Sequence, residues 1–365
     1  MKVIFDHQIY LFQQYGGISR YFYELTSILT HELNVDVVNT ICLSNNIYAT
    51  PPLYSSAKFL PDYSFKGKAR FMDTVNQISS LLKLNKKYDI FHPTYYDTYF
   101  LERIGKRPFV ITFHDLTHEK LATRFEDLSR DKQLFQRRKL LLDRASKVIS
   151  VSASTKNDIM DIYKVPSDKI EVVHLASSIW PGNQDMEIPY DNYILYVGNR
   201  QSYKNFILFI ESISPLLQKD NALKVLCAGG GVFTLDEINL FNDFKIADQL
   251  IQISINDNLL SSLYKKALFF VFPSLYEGFG IPILEAFTCS CPVLLSDISP
   301  FREVASDAAI YFNPTEREDL LDKATQLLQD EYLRARLKTA GSNRGEEFTW
   351  FNTAKSHQEI YQSIL

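Results

Sequence analysis

Short apolar runs alternate along this chain with longer amphipathic stretches, and the alternation occurs twice. In the first half, runs at 2–6, 35–43, 88–92, 108–113, 147–151 and 169–174 are strand-length and rich in Val, Ile and Phe. Stretches at 18–33, 70–84, 128–146 and 153–163 carry the helical spacing; in 128–146, Leu134, Phe135, Leu140, Leu141 and Leu142 stand among many charges. Apolar runs bounded by turn residues and joined by amphipathic helices predict a parallel sheet with helices on both faces. The second half repeats the pattern. Strands are expected at 192–197, 223–228, 249–253, 268–273, 291–295 and 309–312, and helices at 204–218, 257–267, 282–288, 316–329 and 331–347. Between the halves, the small, polar, turn-rich residues of 176–191 read as a linker.

The pattern predicts an α/β protein of two doubly wound, Rossmann-like domains. The first spans 1–180 and the second 181–347, and a final helix over 348–365 returns to the first. At 365 residues the chain is comfortable for two cores. In open α/β sheets ligands bind beyond the carboxyl ends of the strands, so chemistry is sought in the loops just after strands.

Composition narrows the choice. The four cysteines, Cys42, Cys227, Cys289 and Cys291, show no zinc spacing and read as small hydrophobes in a reducing compartment. Lys2 to Asp6 begins a strand at once, and no apolar run reaches bilayer-spanning length. A cytoplasmic protein with at most a peripheral membrane contact is expected. The charge is uneven. Residues 1–180 hold 24 Lys and Arg against 19 Asp and Glu, whereas 181–365 hold 15 against 24. The basic half suits an anionic membrane surface or phosphorylated acceptor, and clusters stand at Lys66–Arg70, Lys86–Lys87 and Arg137–Lys139. A merely solvated face is the plainer alternative. No segment is basic enough for nucleic acid.

Five loops carry candidate chemistry. Tyr15, Gly16, Gly17 and Arg20 precede or open the first long helix, where paired glycines suit an anion nest. His114 and Asp115 close a strand, at an address where imidazole can hydrogen-bond a sugar hydroxyl; His118 lies one turn on. Arg200 and Lys204 follow the first strand of the second half, placing cations where a leaving diphosphate gains charge. Gly229–Gly231 either approach a ligand closely or make a turn of positive φ. The most specific window runs from Ser274 to Ala286. Glu277 sits in the glycine-broken loop Gly278-Phe279-Gly280-Ile281, Pro282 stands at the helix start, and Glu285 follows inside that helix. The loop suits a diphosphate, and the carboxylates suit sugar hydroxyls.

Together these residues resemble glycosyltransferase family 4, retaining enzymes of the GT-B fold, and especially bacterial polysaccharide and O-antigen mannosyltransferases. Glu277 to Glu285 matches the family's E-x7-E signature. Arg200 and Lys204 are closer together than in many members, and Asn205 stands where Gly is common. The resemblance implies that Glu285 binds the nucleotide ribose and Glu277 the donor hexose. Gly278 to Ile281 would offer N–H groups to sugar and phosphate, and Arg200 and Lys204 would take up diphosphate charge without a metal. His114 would contact the donor sugar. Gly16 and Gly17 would approach the diphosphate, with Tyr15 and Arg20 near the acceptor. No cofactor is expected. The expected donor is a nucleotide-sugar, GDP-mannose ahead of a UDP-hexose, and the acceptor a saccharide or lipid-linked oligosaccharide. A sugar-nucleotide epimerase, a phosphorylase or a non-catalytic sugar binder are the alternatives.

Overall fold

A computed structural model describes residues 1–365 except 126, 127, 129–131, 182–185 and 201. The linker residues 182–185, Gln201 of the cationic loop and the start of the stretch 128–146 therefore lie outside the described residues. Twelve strands are present among the described residues: β1 Lys2–Phe5, β2 Asp36–Asn39, β3 Ile90–His92, β4 Val110–Phe113, β5 Lys147–Ser150, β6 Ile170–Val172, β7 Tyr193–Val197, β8 Lys224–Ala228, β9 Leu250–Ile253, β10 Phe269–Phe272, β11 Val293–Ser296 and β12 Ile310–Phe312. The α-helices are α1 Ile9–Phe12, α2 Gly17–His31, α3 Lys68–Lys83, α4 Leu101–Ile104, α5 Thr117–Leu121, α6 Lys132–Arg144, α7 Ala153–Tyr163, α8 Phe206–Lys219, α9 Leu235–Asp243, α10 Asp257–Lys266, α11 Ile281–Thr288, α12 Ser299–Ala305, α13 Arg317–Gln329, α14 Glu331–Gly345 and α15 Trp350–Ser363.

The chain divides into two units. One comprises Met1–Glu119, Arg130–Leu175 and Trp350–Leu365; the other comprises Lys120–Ser129 and Ala176–Thr349. The division falls a few residues from the expected boundary and assigns the 120–129 segment to the second unit.

In the second unit six parallel strands run in the order β9-β8-β7-β10-β11-β12. All five residues of β7 and all four of β10 are buried, because helices cover both faces of these central strands. The core gathers Tyr196, Phe206, Phe209, Ile213, Val271 and Leu294. The strand order reverses between β7 and β10. Connections leave those neighbours in opposite directions along the sheet, and in open α/β sheets the carboxyl ends at such a reversal are where ligands bind.

In the first unit, β2-β1-β3 and β4-β5-β6 are parallel triplets, joined by a bridge between Phe91 and Phe109. Helix α15 packs on α2. It is fixed by a buried polar chain: the Tyr21 hydroxyl lies 2.6 Å from His357 Nε2 and 3.1 Å from Thr112 Oγ1. His92 joins the same chain, with Nε2 3.0 Å from Thr112 Oγ1 and Nδ1 2.7 Å from the Tyr361 hydroxyl. Burial holds the His357 imidazole down at about 4, and the backbone acceptor at Thr353 only partly opposes this.

Candidate active site

The loops after β7 and β10 flank the point of reversal in the second unit, and the structure brings their charged residues together. Lys204 Nζ donates to Glu277 Oε1 at 2.5 Å. Ser274 Oγ donates to the same oxygen at 2.7 Å, and the Leu275 N–H binds the Tyr203 carbonyl at 2.9 Å, stitching the two loops. Lys204 also lies over the rings of Tyr203 and Phe272, 5.1 and 5.4 Å from their centroids. This partly exposed ammonium–carboxylate pair is available to exchange partners with a ligand.

After Glu277, Gly280 takes φ +114° immediately before α11. A Cβ there would meet Ile283 Cδ1 at 3.0 Å and Phe301 Cε1 at 3.1 Å, so both the dihedral and the space require glycine. Pro282 occupies the first turn of α11, where its missing N–H costs nothing. Glu285 lies on that helix and is buried; Tyr264 of α10 donates its hydroxyl to Oε2 at 3.1 Å. Burial and the nearby Glu285 carboxylate push the Tyr264 phenol well above its ordinary range, so it remains a donor. Phe279 is buried and packs against Phe348, 6.1 Å between centroids.

Arg200 requires a correction. Expected as a second cation for a ligand, its guanidinium is committed inside the unit. Nε donates to Glu237 Oε1 at 2.6 Å, and the two side chains are only 5% and 8% exposed. The remaining N–H groups reach the carbonyls of Gly229, Gly231 and Val232 at 3.4, 3.1 and 2.9 Å. Glu237 in turn completes the capping box of α9 with Thr234. Gly229, Gly230 and Gly231 all take positive φ, +84°, +71° and +73°. A Cβ on Gly230 would sit 2.7 Å from both Arg200 Nη1 and the Gly198 carbonyl. The three glycines thus make a left-handed turn wrapped on Arg200. Glu237 was not legible as a partner because it lies 37 residues from Arg200; the Thr234-x-x-Glu237 spacing was the available signal.

The remaining candidates lie in the first unit. The paired glycines do not form the expected nest. Gly16 is extended at φ 173°, and the Gln13 side chain fills the space beside it, with Oε1 accepting the Ser19 N–H at 3.0 Å. Nor do they follow β1 directly, since α1 intervenes. Tyr15 is exposed, its ring 6.2 Å from that of Tyr48, over which Arg20 also lies at 5.4 Å. His114 is edge-on to Tyr21 at 5.0 Å, and its Nε2 is buried without a hydrogen-bond partner among the described residues. Burial draws its imidazole down to about 4, against the opposing pull of Asp115. Burial alone would raise the Asp115 carboxyl, but Arg138 and the hydrogen bonds from Thr117 outweigh it and lower it. His118 borders a cavity of about 440 Å³ shared with Glu119, Lys132, Phe135 and Ile162.

The basic cluster Arg137–Lys139 is likewise spent internally. Arg138 is buried on Glu119 at 2.8 Å, Arg137 meets Asp97 at 3.5 Å and Lys139 meets Asp143 at 3.1 Å. Sequence reading also missed Asp6. Its buried carboxylate accepts from the Thr94 N–H at 2.8 Å, Thr94 Oγ1 at 2.7 Å and Gln8 Nε2 at 2.7 Å, knitting the ends of β1 and β3.

The parallel, doubly wound sheet order is that of a GT-B fold, and the comparisons with known proteins give the enzyme class, a glycosyltransferase. Two family models match: glycosyl transferases group 1 over residues 184–344 and Glycosyltransferase Family 4 over residues 15–176. The chain belongs to glycosyltransferase family 4. It is 28% identical over 294 residues to an O-antigen chain mannosyltransferase B of Escherichia coli, covering 76% of this chain and 75% of that one. It is 32% identical over 183 residues to the O-antigen chain mannosyltransferase RfbU of Salmonella typhimurium, covering 49% and 50%. Among solved structures, a sucrose-phosphate synthase from Thermosynechococcus elongatus superposes with a TM-score of 0.78 over 100% of this chain and 98% of its own, at 17% identity.

Proposed function

We propose that this chain is a retaining mannosyltransferase that moves a hexose from GDP-mannose to a saccharide or lipid-linked saccharide during cell-surface polysaccharide synthesis. The observation that carries the reading is the Lys204–Glu277 pair set beside the α11 N-terminus at the strand-order reversal. The two mannosyltransferase relatives favour mannose.

In this reading, Glu285 binds the ribose hydroxyls, steadied by Tyr264. Glu277 holds hexose hydroxyls, and the main chain of Gly278–Ile281 meets sugar and phosphate. Lys204 is the cation that takes up charge on the departing diphosphate. Arg200 acts at one remove, holding the Gly229–Gly231 turn in shape. Tyr15 and Arg20 are the acceptor-side candidates, and the glycine pair Gly16–Gly17 is left out of the diphosphate site because Gln13 occupies its space. The bond from the anomeric carbon to the phosphate oxygen breaks. The acceptor oxygen attacks the same face through an oxocarbenium-like state, and its proton passes to the leaving phosphate oxygen. Lys204 and the helix N-terminus stabilise the developing charge without a metal or cofactor. The enzyme works at the cytoplasmic face of the membrane, where a lipid-linked acceptor is presented.

Thermal unfolding with GDP, UDP and ADP tests the donor, because a ligand that binds only the folded state raises the midpoint. GDP is expected to give the largest shift; a larger shift with UDP would replace GDP-mannose by a UDP-hexose. Glu285→Ala should abolish the shift and reduce transfer about a hundredfold or more, the scale for a buried polar group that loses its partner. Unchanged transfer by this variant would refute the site.

A further inference from the structure

Helix α3 is built inside out. Its buried positions are Met72, Asn76 and Ser80. Asn76 Oδ1 accepts the N–H groups of Cys42 and Leu43 at 2.7 and 3.0 Å, and its Nδ2 donates to the Leu43 carbonyl at 2.8 Å. Ser80 Oγ lies 2.5 Å from Thr40 Oγ1 and 3.0 Å from His7 Nδ1. Apart from the buried Met72 and the half-buried Leu81, the large apolar residues face outward: Phe71, Ile78 and Leu82 are 50, 55 and 61% exposed. With the half-buried Val75 they follow helical spacing and form one stripe. A helix placed only to cover a core has the opposite arrangement.

The loop before α3 extends the stripe. Leu60, Tyr63 and Phe65 are exposed, and the Phe59 ring lies 5.2 Å from Phe71 and 6.5 Å from Phe65. Lys68 Nζ donates to the carbonyls of Leu60 and Tyr63 at 2.6 and 2.8 Å, tethering this apolar loop to the helix start. The surroundings are cationic: residues 58–87 hold seven Lys and Arg against two Asp. Lys58, Lys66, Arg70, Lys86 and Lys87 are exposed, and among the described residues none pairs with a carboxylate. Asp73 is already engaged by His7 and Gln77.

We propose that α3 and the loop Phe59–Phe65 form a docking face for an anionic lipid bilayer, with the apolar stripe entering the headgroup–acyl boundary and the cations on lipid phosphates. This specifies the surface behind the membrane-borne acceptor proposed above, and rests on that reading only for its purpose. Charge complementarity selects the occupant. A bilayer carrying anionic lipid satisfies both halves of the face, whereas a second copy docked through the same face would oppose two cationic clusters.

Co-sedimentation with vesicles of phosphatidylcholine, with and without phosphatidylglycerol, tests the proposal. The wild type should bind the anionic vesicles, bind the neutral ones far less, and release with salt. The triple variant Phe71→Ser, Ile78→Ser, Leu82→Ser should lose binding by about tenfold or more, and Lys66→Glu with Arg70→Glu should do the same. In both variants the GDP thermal shift and transfer to a soluble acceptor should match wild type, so loss of docking is distinguishable from failure of the transferase reading. Wild-type-like vesicle binding by either variant, or equal wild-type binding to neutral vesicles, overturns the proposal. So does a wild type that ignores vesicles but self-associates through this face.

Discussion

Arg200 and Lys204 lie four residues apart on one loop and occupy different physical situations. Arg200 is buried with Glu237, and removing one member of a buried pair leaves the other charge uncompensated, at a cost of about 3–5 kcal/mol. Lys204 remains partly exposed on Glu277, and Ser274 stays to satisfy that carboxylate. Arg200→Ala is therefore expected to lower the thermal midpoint sharply. Lys204→Ala should leave the midpoint nearly unchanged and reduce kcat by about a hundredfold, the scale for losing one stabilising donor at a developing charge. Calorimetry of both variants beside steady-state kinetics checks the split; equal destabilisation would mean that both are structural. The sequence showed where these two cations stand but not what holds them. The partner of Arg200 arrives from α9, and only the fold brings it there.

At the scale of elements, the central strands were legible because burial on both faces leaves continuous apolar runs such as Phe269–Phe272. The short helices α1, α4, α5 and α12 were not, since four to seven residues hold too little of a helical period to register. Helix α9 carries a capping-box signature but exposes Leu235 and Ile238, which blurs its apolar stripe. The glutamate-to-glutamate window was readable as a glycine-broken loop opening a helix, because its glycines and proline lie close together in sequence. Its geometry gives a further test. Gly280→Ala places a side chain at φ +114° against Ile283 and Phe301. A loss of about 1–3 kcal/mol is expected in urea unfolding, with a raised KM for the donor as the loop shifts. A variant with wild-type KM and stability would show that the loop tolerates rearrangement.

For the molecule as a whole, the buried histidines make stability depend on pH. An unfolded histidine takes up its proton near 6.5, whereas His357 in the folded protein does so only at about 4, and burial lowers His92 in the same direction. Between those values the unfolded chain binds more protons, so stability rises with pH. The contribution is complete above about 6.5 and is lost as pH falls toward 4, amounting to roughly 3 kcal/mol for His357. Thermal midpoints measured across that interval should fall steadily on acidification, and His357→Gln should flatten the fall; an unchanged slope would assign it to other groups. That same polar chain ties Tyr21, Thr112 and His92 to residues 357 and 361, which emerge from the ribosome only after the whole of the second unit. During synthesis the second unit can therefore mature while its predecessor is still missing a wall. Vectorial assembly runs backwards here: the unit begun first is sealed after the one that follows it.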